Sequence, residues 1–467
     1  MKRRHTGGIT VFVVLSLSLV VSCLLALLEG ARSYELRALA SLRTQLGIEA
    51  PFANYNSCLW KNYRLLGNSV DQMESLMETY AGGGYDEMEY GTNLLLLKLH
   101  DVELQEYTLL TDGDGVAYIN AVSAYMDENI LYESAKSIYN QYQAIKKLVE
   151  NNSSDGTEIE DALKGLEELK NVSRGGVQKN PLETIEKLQK TQLLELVVKD
   201  TDELSQLEYD LDEAVSFREL QKGKESKFEE TGWLDRVFLQ QYLLTYLADY
   251  TNPSPNRGLN YELEYLVGGK NNDIENLREV VNQLLLIRES ANLAYLFSDV
   301  EKCETAGALA WALAGATANV AIVEVVKIGI LVAWAFGESV LDVRALLLDK
   351  KIPLIKSRDT WTLGIENLDQ IGTEYMVAKE SAYGIPYKTY LGVLLLFQQE
   401  NKLAYRAMDI QEMTLKKSEG SVALDQLVVR AKVKMVYEYT PIFYSFQNAL
   451  KNEGCNQIVV TETYGYY

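Results

Sequence analysis

The hydropathic pattern opens with one uninterrupted apolar block. Ile9 to Leu28 carries no charge over its whole length, and a bilayer-spanning helix needs about 20 apolar residues. A signal-peptide core is shorter, about 7–15 residues, and is followed by a small-x-small cleavage site. Here Glu29 and Arg32 follow the block. It therefore reads as a retained anchor, with a cleaved secretory signal as the alternative. Ile9, Phe12, Leu15, Leu19, Leu24 and Leu28 are its anchoring residues. A helical pattern continues beyond it, where Leu39, Leu42 and Leu46 recur with Arg37 and Arg43 between them. Gly47 and then Pro51 end that pattern. One helix from Ile9 to Leu46 is on the order of 57 Å long at about 1.5 Å per residue. Its first half faces lipid and its second half forms an amphipathic stem.

The rest of the chain is mostly of helical period. Asn68 to Tyr80 predicts a short helix, and Ala81–Gly84 (AGGG) a break. His100 to Leu110 is strand-like, with Val102 and Leu104 alternating, and Thr111–Gly115 (TDGDG) predicts a tight turn. A single helical pattern then covers Ala117 to Val149. Asn151–Asp155 (NNSSD) and Arg174–Pro181 (RGGVQKNP) bracket an acidic segment, read as an exposed helical insertion or mobile linker near 150–180. Pro181 suits the start of the next helix. A helix-rich region runs on to about Asp299, most amphipathic from Trp233 to Tyr250 and broken by Pro253 and Pro255.

Thr305 to Phe336 is a second apolar zone. Glu324 and Lys327 sit inside it, and an ionised residue at mid-membrane costs roughly 2.5–3.5 kcal/mol. Buried core helices packed through small residues are the expectation. A second span is the alternative, with Lys350, Lys351, Lys356 and Arg358 as its cytoplasmic flank. Helices are expected around Trp361–Leu368 and Tyr387–Ala407. Near the end the period changes. Val429, Ala431, Val433, Met435, Tyr437 and Tyr439 alternate with Arg430, Lys432, Lys434 and Glu438, a half-buried strand. Gln457 to Thr463 can pair with it, and the strand near His100 can join the same sheet.

The expected fold is mainly α with a small antiparallel β-sheet (α+β) and a long N-terminal transmembrane/stem helix. Its parts are a basic cytoplasmic tail at 1–8, a transmembrane helix at 9–28, an amphipathic stem at 29–50 and an extracytoplasmic helical head at 51–467. The head includes the insertion near 150–180 and a C-terminal β-hairpin near 428–465.

Charge sets the orientation. Lys2, Arg3 and Arg4 precede the apolar block, which places the N-terminus in the cytoplasm and the body outside the cell membrane. The net charge of the 467 residues is −21, and the body beyond the basic tail is more acidic still. Such a surface argues against nucleic acid or anionic lipid as a partner of the main body and leaves membrane lipid as the partner of the anchor. Four cysteines are present. Cys58, Cys303 and Cys455 lie beyond the apolar block without a zinc spacing. In an oxidising compartment one pair of the three forms a disulfide, and the sequence does not choose which.

Candidate chemistry is thin. Val267–Asn271 (VGGKN) lacks the upstream glycine and the following Ser/Thr of a phosphate loop, so it reads as a connecting turn. No GxSxG, HExxH or dinucleotide fingerprint occurs. His100, beside Asp101, reads as a strand-edge histidine. Asp112 and Asp114 resemble part of a calcium loop, but position twelve is Ser123 rather than glutamate. No catalytic residue, cofactor or metal ligand is assigned, and the protein reads as a non-enzyme. The 30 tyrosines suit either core packing or a binding surface.

The N-terminal stretch GGITVFVVLSLSLVVSCLLALLEGARSYELRALAS, after its short basic segment, resembles the N-terminus of TadE/TadG-like proteins. These are minor, pilin-like components of tight-adherence (Tad/Flp-type) pilus systems. Longer phrases resemble an uncharacterised, membrane-anchored Gram-positive family often encoded beside such machinery. They are NYNSCLWKNYRLLG, YTLLTDGDGVAYINAVSAYM, YELEYLVGGKNNDIENLREVVNQLLLIRESANLAYLFSD, LVAWAFGESVLDVRALLLDKKIPLIKS and YKTYLGVLLLFQQENKLAYRAMDIQ. The resemblance implies an accessory pilus or secretion component whose partners are pilus-assembly proteins or other pilin-like subunits. It also implies a processing point between Gly8 and Ile9. Val13 then stands where pilins carry an assembly glutamate, which points to a TadG-like, non-shaft role. The alternative is a membrane-tethered enzyme acting on wall polymers through two carboxylates about 5–10 Å apart.

Overall fold

The computed structural model describes residues 7–82, 95–130, 132–153, 192–224, 228, 231–420, 422–442 and 456–467. Lys2, Arg3, Arg4, Cys455, Pro181 and the insertion expected beyond residue 153 lie outside the described residues. The chain divides into two compact units. The first comprises Met1–Ala124, Leu220–Glu230 and Ala423–Tyr467, and the second Tyr125–Glu219 and Thr231–Val422.

The first unit is built on α1 (Gly7–Ala53). It continues with α2 (Ser57–Tyr63), β1 (Asn68–Ser69), α3 (Val70–Ala81), β2 (Lys98–Leu109) and the start of α4 (Val116–Asn129). β3 (Leu427–Tyr439) and β4 (Asn456–Gly465) complete it. The sheet is antiparallel, with β3 paired to β2 on one side and to β1 and β4 on the other. β3 and β4 pair without a register shift from Arg430↔Gly465 to Tyr439↔Asn456. Alternation puts Ala431, Val433, Met435 and Tyr437 into the core, with Leu36, Ile48, Met73, Met77 and Leu104. The other face carries Lys432–Glu106 at 2.9 Å and Lys434–Glu103 at 3.0 Å, opposite charges on directly paired residues.

Two expectations for this unit are corrected. The helix does not stop at Gly47 and Pro51 but runs through both to Ala53. A glycine is needed at 47 for close approach, since a Cβ there would lie 2.8 Å from Ala81 Cβ and 2.9 Å from Met435 Cε. Pro51 forfeits one helical bond. The turn it sits in is held by Phe52, which is 2 % exposed against the rings of Tyr464 and Tyr466, and by Asn68 Nδ2 donating to the Pro51 carbonyl. The stem face is also different. Leu42 and Leu46 are more than half exposed. The buried stripe is Arg32, Leu36, Ala40, Thr44 and Ile48, spaced by four.

The second unit takes up the end of α4. It adds α5 (Tyr132–Ser153), α6 (Leu193–Val197), α7 (Trp233–Tyr246), α8 (Glu262–Gly268) and α9 (Asp273–Ser298). α10 (Val300–Ala314), α11 (Val320–Leu347), α12 (Tyr387–Leu395) and α13 (Glu400–Glu419) follow. The expected single helix over 117–149 is two helices, broken at Ile130. Among the described residues, the region from Lys199 up to Trp233 is irregular rather than helical. It is held by side-chain hydrogen bonds instead: Ser205 Oγ donates to Asp273, and Ser216 donates to Asp409 through both N and Oγ. The pattern at Tyr387–Ala407 is likewise two helices. α11 is a core helix, continuously buried from Gly329 to Leu347, in keeping with the small-residue reading of this zone. The expected helix at Trp361–Leu368 is extended at first and becomes a 3₁₀ turn only at Ile365–Gln370. There the carboxylate of Glu338 on α11 accepts the N–H groups of Thr362 and Leu363 and ties the extended segment to α11.

Candidate functional site

The feature with the clearest functional content is the first half of α1. Ile9, Phe12, Leu15, Leu19, Leu24 and Leu28 are 52–72 % exposed. Val11, Val14, Leu17, Val20 and Leu27, on the other sides of the helix, are exposed as well. A helix apolar all round and covered by no protein face is matched to hydrocarbon. None of its most apolar stretch of 18 residues is buried. Past Arg32 the same helix acquires a protein-facing stripe. Arg32 is itself 5 % exposed; it donates to Glu29 at 2.8 Å and lies over the Tyr439 ring. The change from lipid-type to core-type surface therefore falls within one turn. Gly8 and Ile9, the processing candidates, are helical and exposed.

The remaining sequence candidates resolve into structural roles. Gly113, Asp114 and Gly115 all have positive φ (66, 53 and 87°), so TDGDG is a tight turn. Asp112 accepts the N–H of Leu109 at 2.7 Å and that of Gly223 at 3.0 Å. Burial pushes its carboxyl up, against these bonds. Gly269 (φ 64°) caps α8 in the left-handed region, and Arg406 donates to the carbonyls of Leu266 and Val267. VGGKN is therefore a helix end. His100 lies on β2, half exposed, with Nδ1 3.5 Å from Glu438. Cys303 Sγ donates to the Leu296 carbonyl, and burial raises its thiol pKa. Among the described residues no group of three His, Cys, Asp or Glu is placed to hold a metal.

Among the described residues of the second unit, two cavities stand out. One, of about 570 Å³, is lined by Tyr295, Asp299, Ser357 and Arg358 beside Ala291 and Ala294. The other, of about 250 Å³, is acidic, with Asp210, Glu213, Asp409 and Glu412 at its wall. Its most buried carboxylates are committed. Asp409 accepts from Ser216 and from Tyr265 Oη at 2.8 Å, and Glu412 holds Arg218 in a two-bond fork at 2.5 and 2.8 Å. Burial raises the Asp409 carboxyl despite these donors.

Sequence reasoning missed the buried polar centre between α9 and α11. Arg288 donates to Asp342 at 3.0 Å, to the carbonyls of Pro353 and Leu354, and to Tyr390 Oη. Lys356 Nζ lies 2.7 Å from both Glu338 and Asp342. All four charged side chains are fully buried, and two cations balance two anions. The spacing of Glu338 and Asp342 by four in an apolar run was the available signal.

The fold defines a helix-rich α+β protein with an N-terminal apolar helix of membrane-anchor or signal-sequence type; among the described residues α11 is also long and apolar enough to cross a membrane, but most of it is buried in the fold. The chain belongs to a family of unknown function, DUF5702, whose sequence model matches residues 172–439, more than half of its length. That span runs from ahead of α6 through β3 and excludes α1. Neither a curated protein nor a solved structure matches the chain.

Proposed function

We propose that the protein is a single-pass, membrane-anchored extracytoplasmic protein acting as an accessory, TadG-like component of a Tad/Flp-type pilus or secretion system. The observation that carries this reading is the two-part surface of α1, exposed and apolar to Leu28 and buried on its own sheet from Arg32 onward. This is an anchor joined rigidly to a stem on which a folded body packs. Lys2, Arg3 and Arg4 set the N-terminus in the cytoplasm. Val13, in place of an assembly glutamate, favours a role beside the filament rather than in its shaft. The tethered carboxylate hydrolase has less support, because the buried acids of the acidic cavity are tied to Ser216, Tyr265 and Arg218.

The test is crosslinking in intact cells followed by purification of the full chain, together with protease digestion of its C-terminus from outside. Pilus-assembly proteins in the crosslinked fraction and an accessible C-terminus are expected. A chain with a protected C-terminus, or one never crosslinked to such proteins, defeats the reading.

A further inference from the structure

The hairpin formed by α10 and α11 carries an uncharged cap. Residues 305–323 contain no ionisable side chain. Ala306, Ala310 and Ala314 form the buried seam of α10. What faces outward is mostly apolar: Trp311 is 53 % exposed and Val320 68 %, with Ala308, Ala312 and Ala318 exposed around them and Thr305 and Asn319 as the exposed polar residues. The two hydroxyls of the cap are closed onto its own backbone, and one amide oxygen caps the next helix. Thr305 Oγ1 donates to the Glu301 carbonyl at 2.8 Å and Thr317 Oγ1 to the Ala314 carbonyl at 2.7 Å. Asn319 Oδ1 accepts from Ala321 N at 3.0 Å. Charge resumes at the base of the hairpin. Glu324 pairs with Lys327 at 3.0 Å, Glu301 pairs with Arg358, and Lys302 lies over the Trp334 and Trp361 rings.

We propose that this cap inserts into the interfacial layer of a lipid bilayer, as a second, shallow contact of an already anchored chain. The inference rests on the anchor reading of α1. The charge pattern selects lipid as the occupant: an ion-free cap above a charged collar matches hydrocarbon above headgroups. A protein partner would find few bonds to make, whereas hydrocarbon requires that polar groups be satisfied internally, as the hydroxyls of Thr305 and Thr317 are. Trp311 has the amphipathic ring suited to the carbonyl region. The ten residues of α10 within the cap rise roughly 15 Å. That is enough for the 5–10 Å burial of interfacial helices and about half of what a span needs. A tether raises the effective concentration to the millimolar range, so a modest apolar gain suffices.

The test uses the full chain reconstituted in phosphatidylcholine vesicles with brominated acyl chains, reading tryptophan fluorescence. α1 contains no tryptophan, so the anchor is silent. Quenching is expected in the wild-type chain. Trp311→Phe should remove most of it, and Val320→Glu should reduce it at least twofold without shifting the thermal midpoint. Equal quenching of wild type and Trp311→Phe overturns the proposal. A chain that floats with the vesicles unquenched overturns this inference alone. One that does not float overturns the anchor reading and this inference with it.

Discussion

Thr44 Oγ1 on α1 and Tyr437 Oη on β3 lie 3.0 Å apart in the core of the first unit, though 393 positions separate them in sequence. Tyr437 also lies 3.5 Å from Met435 Sδ. The stem is thus fastened to the central strand by a buried hydrogen bond, one turn before Gly47 meets Ala81 and Met435. Thr44→Val keeps the shape and loses the bond, so it should cost about 0.5–1.5 kcal/mol. Gly47→Val adds methyl groups where no space exists and should cost about 1–3 kcal/mol despite a better helix propensity. Gly30→Ala meets nothing within 4 Å and should be neutral or slightly stabilising. Denaturant melts of the detergent-solubilised chain rank the three. A Gly47→Val variant as stable as wild type contradicts the packing described.

Charge balance in the second unit leads to a sharper expectation. Lys356 serves two fully buried carboxylates, Glu338 and Asp342. Removing one partner of a buried pair strands the others, a loss of about 3–5 kcal/mol. Lys356→Met should therefore destabilise strongly. Glu338→Gln retains an acceptor for the Thr362 and Leu363 N–H groups while removing one of the two negative charges. Adding it to Lys356→Met should recover more than half of the loss. Urea midpoints of the four chains in this double-mutant cycle decide it, and simple additivity would show that the groups do not act as one unit.

What was legible in the sequence was whatever had length or strict period. The apolar block of α1 and the alternation from Val429 to Tyr439 carried directly into structure. Less legible was the stem's buried face. Ala40, Thr44 and Gly47 are small or polar and do not stand out as an apolar stripe, while the exposed Leu42 and Leu46 do. Nor could local pattern foresee that Glu338 would take the N–H groups of Thr362 and Leu363, or that Arg406 would cap α8 from α13. Those bonds join residues 24 or more positions apart. The placement of 220–230 with the first unit has the same origin, since Asp112 holds the Gly223 N–H from 111 positions away.

Glu264 sets a pH dependence. It is fully buried, with Oε1 accepting from Tyr387 Oη at 2.6 Å and from Tyr250 N at 2.9 Å, while Oε2 has no partner among the described residues. Burial pushes its pKa from 4.5 up to about 8, with neighbouring Asp249 adding to the rise and the two donors opposing it. The folded state therefore holds a proton that the unfolded chain has released. This contribution is fully present below about pH 4.5 and is lost as pH rises to about 8. The slope approaches about 1.4 kcal/mol per pH unit for one proton. Glu264→Gln mimics the protonated acid and should flatten that part of the profile. Its stability should match wild type near pH 5 and exceed it near pH 8. Thermal midpoints across this range test the point, and an unchanged slope in the variant would assign the dependence to other groups.

Under the proposed anchor, two leucines of α1 bracket the edge of the membrane. Leu19 is 67 % exposed within the apolar block, and Leu42 is 54 % exposed on the stem. The two exposures are alike, so the isolated chain does not distinguish them, but a bilayer does. Arginine near the centre of a span costs about 2.5–3.5 kcal/mol of insertion free energy, whereas on a solvated helix surface it changes stability within roughly ±0.5 kcal/mol. Leu19→Arg should shift the chain from the membrane pellet toward the supernatant after alkaline extraction. Leu42→Arg should leave it in the pellet, with an unchanged melting midpoint. If both variants extract alike, lipid reaches beyond Leu28 onto the stem. If neither extracts, a second membrane contact holds the chain, and repeating the extraction in a Leu19→Arg, Val320→Glu background identifies the hairpin cap as that contact when the double variant is released.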